Sequence, residues 1–137
     1  MHQSVLQLET IRVSEIISFI LRGRLAHPNI FPNNNEHELS EYISQAIDEE
    51  AILVCGNSFT GITGVIVGKC YRDKRNYYIA GLYATHTSAL VSFAKWMLSS
   101  DTADFTLDAR RHGKVVHYLN AGKFLNTIIR IYGRRIK

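Results

Sequence analysis

The fold is decided by residues 51–85, AILVCGNSFTGITGVIVGKCYRDKRNYYIAGLYAT, where three apolar runs are separated by short turns. Residues 51–59 and 61–71 are rich in β-branched side chains, which predicts an antiparallel hairpin. After the charged turn RDKRN, residues 76–85 predict a third strand. Gly81, in the middle of that strand, is a candidate β-bulge or a point where a ligand or another backbone comes close.

A helix is predicted directly after the third strand, up to Ser99-Ser100. Its apolar side chains recur with a helical period: Leu90, Val91, Phe93, Ala94, Met97 and Leu98. Either Thr85 or Thr87 is expected to cap this helix, because a threonine hydroxyl accepts a hydrogen bond from a first-turn backbone N–H. The sequence therefore predicts a strand that passes through a short turn into a helix.

Three further elements are predicted toward the C-terminus. Residues 104–109, DFTLDA, have the pattern of a fourth core strand, and residues 114–122, KVVHYLNAG, that of a short helix ended by Gly122. Residues 124–133, FLNTIIRIYG, predict the last strand. We expect this strand at a margin of the sheet, where its edge could pair with a second copy of the chain.

The N-terminal region predicts a strand followed by a helix. Residues 4–11 alternate apolar and polar side chains, as in a short half-buried strand. Ser14 is a plausible cap for a helix whose apolar residues are Ile16, Ile17, Phe19, Ile20, Leu21 and Leu25. The helix should end before His27, because a residue that precedes proline avoids the helical conformation.

A second helix is predicted over residues 36–49, after a polar loop that contains two prolines and three consecutive asparagines. Asn35 can cap this helix, and Glu38, three residues on, can complete a capping box. Its apolar face holds Leu39, Ile43, Ala46 and Ile47. The whole chain, residues 1–137, is then one α/β (α+β) domain built on a single mixed, mostly antiparallel sheet flanked by helices.

Composition narrows the class of protein. The 137 residues are 46% hydrophobic, which is enough for one core, and no apolar run approaches a membrane span. Cys55 and Cys70 lie in predicted strands and are not in a CxxC arrangement, so we expect buried free thiols and a cytoplasmic protein. No spacing of histidines, cysteines and carboxylates predicts a metal site, since His112 and His117 are five residues apart.

Two basic clusters could meet a negatively charged partner. Arg134, Arg135 and Lys137 stand near the C-terminus, where they could touch nucleic acid or an acidic protein, or form a solvated end. Arg110, Arg111, His112 and Lys114 form the densest internal patch. That patch could bind a nucleotide's phosphate or an acidic partner, or be an ordinary charged loop.

The predicted order of elements, β-α-α-β-β-β-α-β-α-β, resembles that of the GNAT superfamily of acetyl-coenzyme-A-dependent N-acetyltransferases over essentially the whole chain. Residues 117–124, HYLNAGKF, are similar to the family's closing motif. Tyr118 and Gly122 keep its spacing, whereas Phe124 falls one place late because Lys123 intervenes. The resemblance implies that Tyr118 is the acid that protonates the departing thiolate.

The resemblance also implies where acetyl-coenzyme A would bind. In the family, a bulge in the third strand pairs with the pantetheine arm, and a Q/R-x-x-G-x-G/A turn receives the pyrophosphate. Here Leu82 stands at the cationic or amide position, and Thr85 and Thr87 stand at the two glycines. These branched side chains occupy space that a phosphate would need, so the usual mode of binding is not expected. Alternatively, the hydroxyls of Thr85, Thr87 and Ser88 with a protonated His86 could present donors to an anion.

The family's acidic base has no counterpart in residues 76–85, which contain no carboxylate. Tyr83, which also lies in the candidate cofactor segment, could relay a proton through water instead. Two functions follow. The first is a degenerate acetyltransferase fold, a pseudoenzyme that binds a protein partner or associates with itself; small proteins of this kind resemble phage and virion-associated proteins. The second is an active N-acetyltransferase acting on an amine of a small molecule or protein.

Overall fold

The computed structural model describes residues 4–5, 13–28, 30–31, 35–57, 61–99, 104–111, 114–118, 120 and 123. These residues form an α+β fold with a single mixed, mostly antiparallel sheet flanked by helices, which confirms the predicted fold class. The elements are β1 (Ser4–Val5), α1 (Val13–Ala26), α2 (Glu36–Asp48), β2 (Ile52–Asn57), β3 (Gly61–Tyr71), β4 (Asn76–Ala84), α3 (Thr87–Leu98), β5 (Thr106–Arg111) and β6 (Lys114–Tyr118).

The sheet follows the chain, with the described strands in the order β1-β2-β3-β4-β5-β6. The predicted hairpin of β2 and β3 is confirmed, and β3 continues into an antiparallel pairing with β4. Only β4 and β5 pair in parallel among these strands, because α3 connects them across one face of the sheet. β4, the strand that carries Gly81, therefore has an antiparallel neighbour on one side and a parallel neighbour on the other.

Helices cover the two faces of the sheet separately. Because successive residues of a strand point to opposite faces, Val54 and Val65 pack beneath α1 and α2, while Cys55 and Ile66 pack beneath α3. We call these the helical-pair face and the α3 face. Gly64 allows α3 to approach closely, since a Cβ on this residue would lie 2.9 Å from side-chain atoms of Ala89 and Phe93.

The helices bear out most of the local predictions. The side chain of Asn35 caps α2 by accepting a hydrogen bond of 2.9 Å from the backbone N–H of Glu38, as predicted. The prediction that Ser14 caps the first helix is wrong, because α1 already includes Val13. Among the apolar residues predicted to face the core from that helix, Leu25 is exposed.

The predicted helix over residues 114–122 is wrong where the structure describes it. Residues 114–118 form β6, an antiparallel neighbour of β5 with Asp108 opposite His117 and Arg111 opposite Lys114. Adjacent β-branched residues, Val115 and Val116, favour a strand, and pairing with β5 outweighs a weak helical spacing. β5 itself begins at residue 106 rather than the predicted 104.

Some predictions lie outside the described residues. These are the continuation of the first strand over residues 6–11, the last strand over residues 124–133, and the basic cluster Arg134, Arg135 and Lys137. Cys55 is buried and Cys70 half-buried, both as free thiols. Among the residues that the structure describes, no helix is both long enough and apolar enough to cross a membrane.

Candidate functional site

The predicted bulge in β4 is confirmed. Val67 of β3 pairs with Gly81, whereas its neighbour Gly68 pairs with Ile79, so Ala80 is the extra residue. The burial pattern reflects this irregularity, because Ile79 and Leu82, three residues apart, both pack on the α3 face, which regular alternation would not allow. The bulge thus redirects the second half of β4.

The parallel pairing of β4 with β5 reaches only as far as the bulge. It runs from Asn76 opposite Thr106 to Ile79 opposite Ala109. Beyond those residues β4 continues to Ala84 and β5 continues to Arg111. The bulge therefore marks the end of the described pairing, and α3 begins a few residues further along the chain.

Phe31, which lies between α1 and α2, covers the bulge on the helical-pair face. A Cβ on Gly81 would lie 2.6 Å from two ring carbons of Phe31, and this ring is only 5% exposed. Arg24 anchors the segment, since its Nη2 donates to the carbonyl oxygen of Phe31 at 2.9 Å. The backbone of Phe31 is left-handed, with a φ of 60°, a conformation that costs a residue with a Cβ about 1–2 kcal/mol. The space beside Gly81 is consequently filled by the protein itself.

Leu82 and Tyr83, two predicted cofactor-binding residues, point to opposite faces of the sheet. Leu82 packs against the core of the α3 face. Tyr83 packs on the helical-pair face, with its ring centroid 5.1 Å from that of Phe19. The Tyr83 ring also occupies the space beside Gly23, where a Cβ would clash with it. Both side chains therefore contribute to packing.

The turn before α3 is closed by internal hydrogen bonds. The backbone N–H of Thr85 donates to the carbonyl oxygen of Thr63 at 2.8 Å, and its hydroxyl donates to the same oxygen at 3.3 Å. The predicted threonine cap is wrong: His86 is the N-cap residue, and its side chain makes no capping bond. Its Nδ1 instead lies 2.8 Å from the Thr85 hydroxyl, while Thr87 and Ser88 are half-buried in the first turn.

The two predicted catalytic tyrosines do not come together. Tyr118 lies opposite Leu107 on β6 and packs against the core of the α3 face. Tyr83 packs on the helical-pair face. A sheet therefore separates the two side chains. Gly122 and Phe124, the other residues of the closing motif, lie outside the described residues.

A hydrogen-bonded network that the sequence did not predict crosses β4, β5 and β6. Nδ1 of His117 lies 2.5 Å from Oδ1 of Asp108. The other carboxylate oxygen of Asp108 accepts a hydrogen bond of 3.3 Å from the side-chain amide of Asn76. Thr106 in turn donates to the amide oxygen of Asn76 at 3.0 Å. Both oxygens of Asp108 are therefore engaged, and His117 is held through one ring nitrogen.

This network belongs to an open part of the helical-pair face. Leu107 and Ala109 are buried on the α3 face, so the alternation of β5 places Asp108 and Arg110 on the other face. The same face of β4 and β6 contributes the residues directly opposite Asp108 in the register. We call the resulting surface the polar floor; its residues are Tyr78, Asp108, Arg110 and His117.

Tyr42 of α2 stands at the border of the polar floor. Its hydroxyl is buried and has no hydrogen-bond partner among the described residues. Desolvation raises the pKa of Tyr42, and nearby Tyr78 adds to this effect, whereas the positive charge of Arg110 opposes it. The Tyr42 ring packs edge-on against Phe31, 6.5 Å away between centroids. Tyr42 thus lies between Phe31, which covers the bulge, and the polar floor.

The sequence did not predict this network because the network depends on the pairing register of β5 and β6. Asp108 and His117 are nine residues apart, and they face each other only because β5 and β6 pair in an antiparallel register. The predicted helix placed His117 in a different environment. A usable signal was present: Gly113 precedes the adjacent β-branched residues Val115 and Val116, which favour a strand over a helix.

Comparisons of the chain with protein-family models, with curated proteins and with solved structures gave no match. No group of three or more histidine, cysteine or carboxylate side chains within the described ranges is placed to hold a metal ion. The described residues offer two candidate sites, the bulge end of β4 and the polar floor.

Proposed function

We propose that this protein is a binding or assembly module with an acetyltransferase-like architecture, and that it does not transfer acetyl groups from acetyl-coenzyme A. The observation that carries this proposal is the Phe31 ring beside Gly81. In the GNAT superfamily, which the order of elements predicted from the sequence resembles, except that residues 114–118 form a strand and not the predicted helix, the bulge is where the pantetheine arm pairs with the strand. Here a buried aromatic side chain takes that space, which is unfavourable for a ligand of that shape.

The chemistry available beside the bulge also supports a noncatalytic role. Acetyl transfer needs a group that accepts the amine proton and a group that donates to the thiolate. Tyr83 and Tyr118, the residues expected to do this, pack on opposite faces of the sheet. The Thr85 hydroxyl, a possible phosphate donor, is engaged with the Thr63 carbonyl.

A protein partner or a second copy of the chain is the proposed binding target. Trp96, near the end of α3, is 38% exposed, and the neighbouring Leu98 is exposed as well. Tryptophan is enriched in protein interfaces because it buries a large apolar area and retains a polar N–H. The suggestion that the module belongs to a phage or virion stays a prediction from the resemblance.

The test of the proposal is a thermal melt with acetyl-coenzyme A, compared with adenosine 3′,5′-bisphosphate as the matched control. The control carries phosphates and adenosine but no pantetheine or acetyl group. A ligand at about 100 times its Kd adds roughly 2.7 kcal/mol of stability. We expect acetyl-coenzyme A to raise the melting temperature no more than the control does. A clearly larger rise with acetyl-coenzyme A would contradict the proposal.

Association can be followed through the single tryptophan of the chain. We expect sedimentation velocity to show either a self-associated species or, with its partner added, a larger complex, accompanied by a change in Trp96 emission. The matched variant is Trp96→Phe, which keeps an aromatic ring and removes the reporter. A chain that remains monomeric at high concentration would exclude self-association.

One observation favours the second candidate, an active N-acetyltransferase with an altered phosphate turn. The described pairing of β4 with β5 ends at the bulge, just before α3, where the family has its cofactor groove. For this function Phe31 would have to move away from Gly81. Acetyl-coenzyme A binding to Phe31→Ala, but not to the natural chain, would indicate that the architecture is retained and that Phe31 blocks it.

A further inference from the structure

The polar floor holds an oriented histidine and an arginine, and the unpaired buried hydroxyl of Tyr42 stands at its border. We propose that it binds a phosphate group of a ligand between the guanidinium of Arg110, the imidazole of His117 and the hydroxyl of Tyr42. This site is separate from the bulge, so the inference does not depend on whether acetyl-coenzyme A binds.

His117 is oriented for such a contact. Its Nδ1 is held by Asp108, whose second oxygen is held by Asn76. The ring cannot rotate without losing this bond, and its side chain is 58% exposed. In the imidazolium form both ring nitrogens donate hydrogen bonds, so Nε2 can donate to an oxyanion while Nδ1 donates to Asp108.

Arg110 supplies the second donor. It lies on the same face of β5 as Asp108 and diagonally across from His117, because Asp108 pairs with His117 and Arg110 pairs with Val115. Diagonal neighbours in an antiparallel pair are about 7–8 Å apart, a separation that long side chains span around a phosphate. Arg110 makes no ion pair or hydrogen bond with the described residues, and its planar fork suits phosphate oxygens.

The Tyr42 hydroxyl is the third donor and the observation that points most directly to a ligand. A buried hydroxyl without a partner costs about 1–3 kcal/mol, and a ligand atom that accepts its hydrogen bond recovers that cost. Tyr42 packs on the helical-pair face, which is also the face of β5 that carries Arg110, and the charge of Arg110 acts on its hydroxyl. A phosphate oxygen there would be the missing acceptor.

Asp108 does not repel the proposed ligand to the degree that its charge suggests. Its two oxygens are directed at His117 and Asn76. With His117 protonated, Asp108, His117 and Arg110 together carry a net positive charge. Tyr78 of β4 and Tyr42 of α2 are further titratable side chains beside this site. A phosphate group therefore meets a site of opposite sign.

The experiment is a titration of the isotope-labelled full chain with inorganic phosphate, followed by NMR at about pH 6, below the ordinary imidazole pKa of about 6.5. Sodium chloride keeps the ionic strength constant. We expect saturable shifts in the His117 ring and in the amides of β5 and β6. Arg110→Gln and His117→Gln should each weaken the affinity about tenfold, since each removes a charge-assisted hydrogen bond.

Two matched variants make the outcome decisive. Arg22→Gln removes the same charge from an exposed position on α1 and should change the affinity by less than about twofold. Tyr42→Phe should weaken the affinity about threefold while leaving the melting temperature unchanged or higher, because it deletes an unpaired hydroxyl. Shifts that do not saturate, an equal loss in Arg22→Gln, or an affinity that Tyr42→Phe leaves unchanged would overturn the three-donor site.

Discussion

Two regions of one face of the sheet differ in how they are filled. At the bulge, apolar rings from the helical pair pack against Gly81 and Gly23, so backbone that could meet a ligand meets Phe31 and Tyr83 instead. On the polar floor, α1 and α2 leave the sheet uncovered, and Asp108, Arg110 and His117 remain accessible. Among the described residues, Asp108, Arg110 and His117 therefore lie away from the bulge, where the family resemblance implied that a cofactor would bind.

The largest expected loss of stability comes from removing the Phe31 ring that covers the bulge. Phe31→Ala should lower the free energy of unfolding by about 3–5 kcal/mol, because it removes a buried ring and leaves a cavity beside Gly81. Denaturant unfolding monitored by circular dichroism measures this loss. A change below about 1 kcal/mol would mean that Phe31 does not cover the bulge in solution.

The next effect concerns Tyr77, a tyrosine buried on the α3 face of the sheet. Burial raises the pKa of Tyr77 from 10.0 to about 12. Between those pH values the unfolded chain releases the proton while the folded chain retains it, so stability falls as pH rises through this window, by about 2–3 kcal/mol at its upper end. Tyr77→Phe should remove this part of the alkaline loss. An identical pH dependence in both proteins would contradict the burial of that hydroxyl.

Overpacking the bulge should cost less than emptying it. Gly81→Ala places a methyl group 2.6 Å from the Phe31 ring and should destabilise the fold by about 1–3 kcal/mol. In a Phe31→Ala background the same substitution should cost clearly less, because the clash is absent. The interaction energy from this double-mutant cycle measures the contact directly. Additive effects would show that the two residues are not in contact.

The smallest expected effect belongs to the open region. The coupling energy between Asp108→Asn and His117→Gln should be below about 1 kcal/mol, since the His117 side chain is mostly exposed and screened by solvent. A double-mutant cycle in urea tests this value. Coupling well above that range would mean that the network serves stability, which would weaken its assignment to ligand binding.

Local signals predicted much of the fold. The β-branched content of β2 and β3, the helical period of α3 and the Asn35 cap each depend on residues close together in sequence. β6 was predicted as a helix because KVVHY has apolar residues that suit either structure, and only pairing with β5 decides between them. Long-range register also determines that Asp108 meets His117.

The candidate site was harder to predict than the strands around it. The bulge at Gly81 was predicted from a glycine within a strand, yet nothing in the sequence indicated that a loop residue, Phe31, would cover it. Tyr83 was assigned a chemical role from its position, whereas the structure packs it against Phe19. Packing between distant segments determines both outcomes, and local sequence patterns do not report it.

The most direct measurement is an NMR titration of the full chain with acetyl-coenzyme A, in which the amides of residues 80–88 report the bulge and the turn before α3. We expect these amides to stay unchanged, and any saturable shifts to fall in β5 and β6, where the phosphates of the cofactor would meet Arg110 and His117. Saturable shifts in residues 80–88 would contradict the claim that Phe31 closes the bulge to this cofactor.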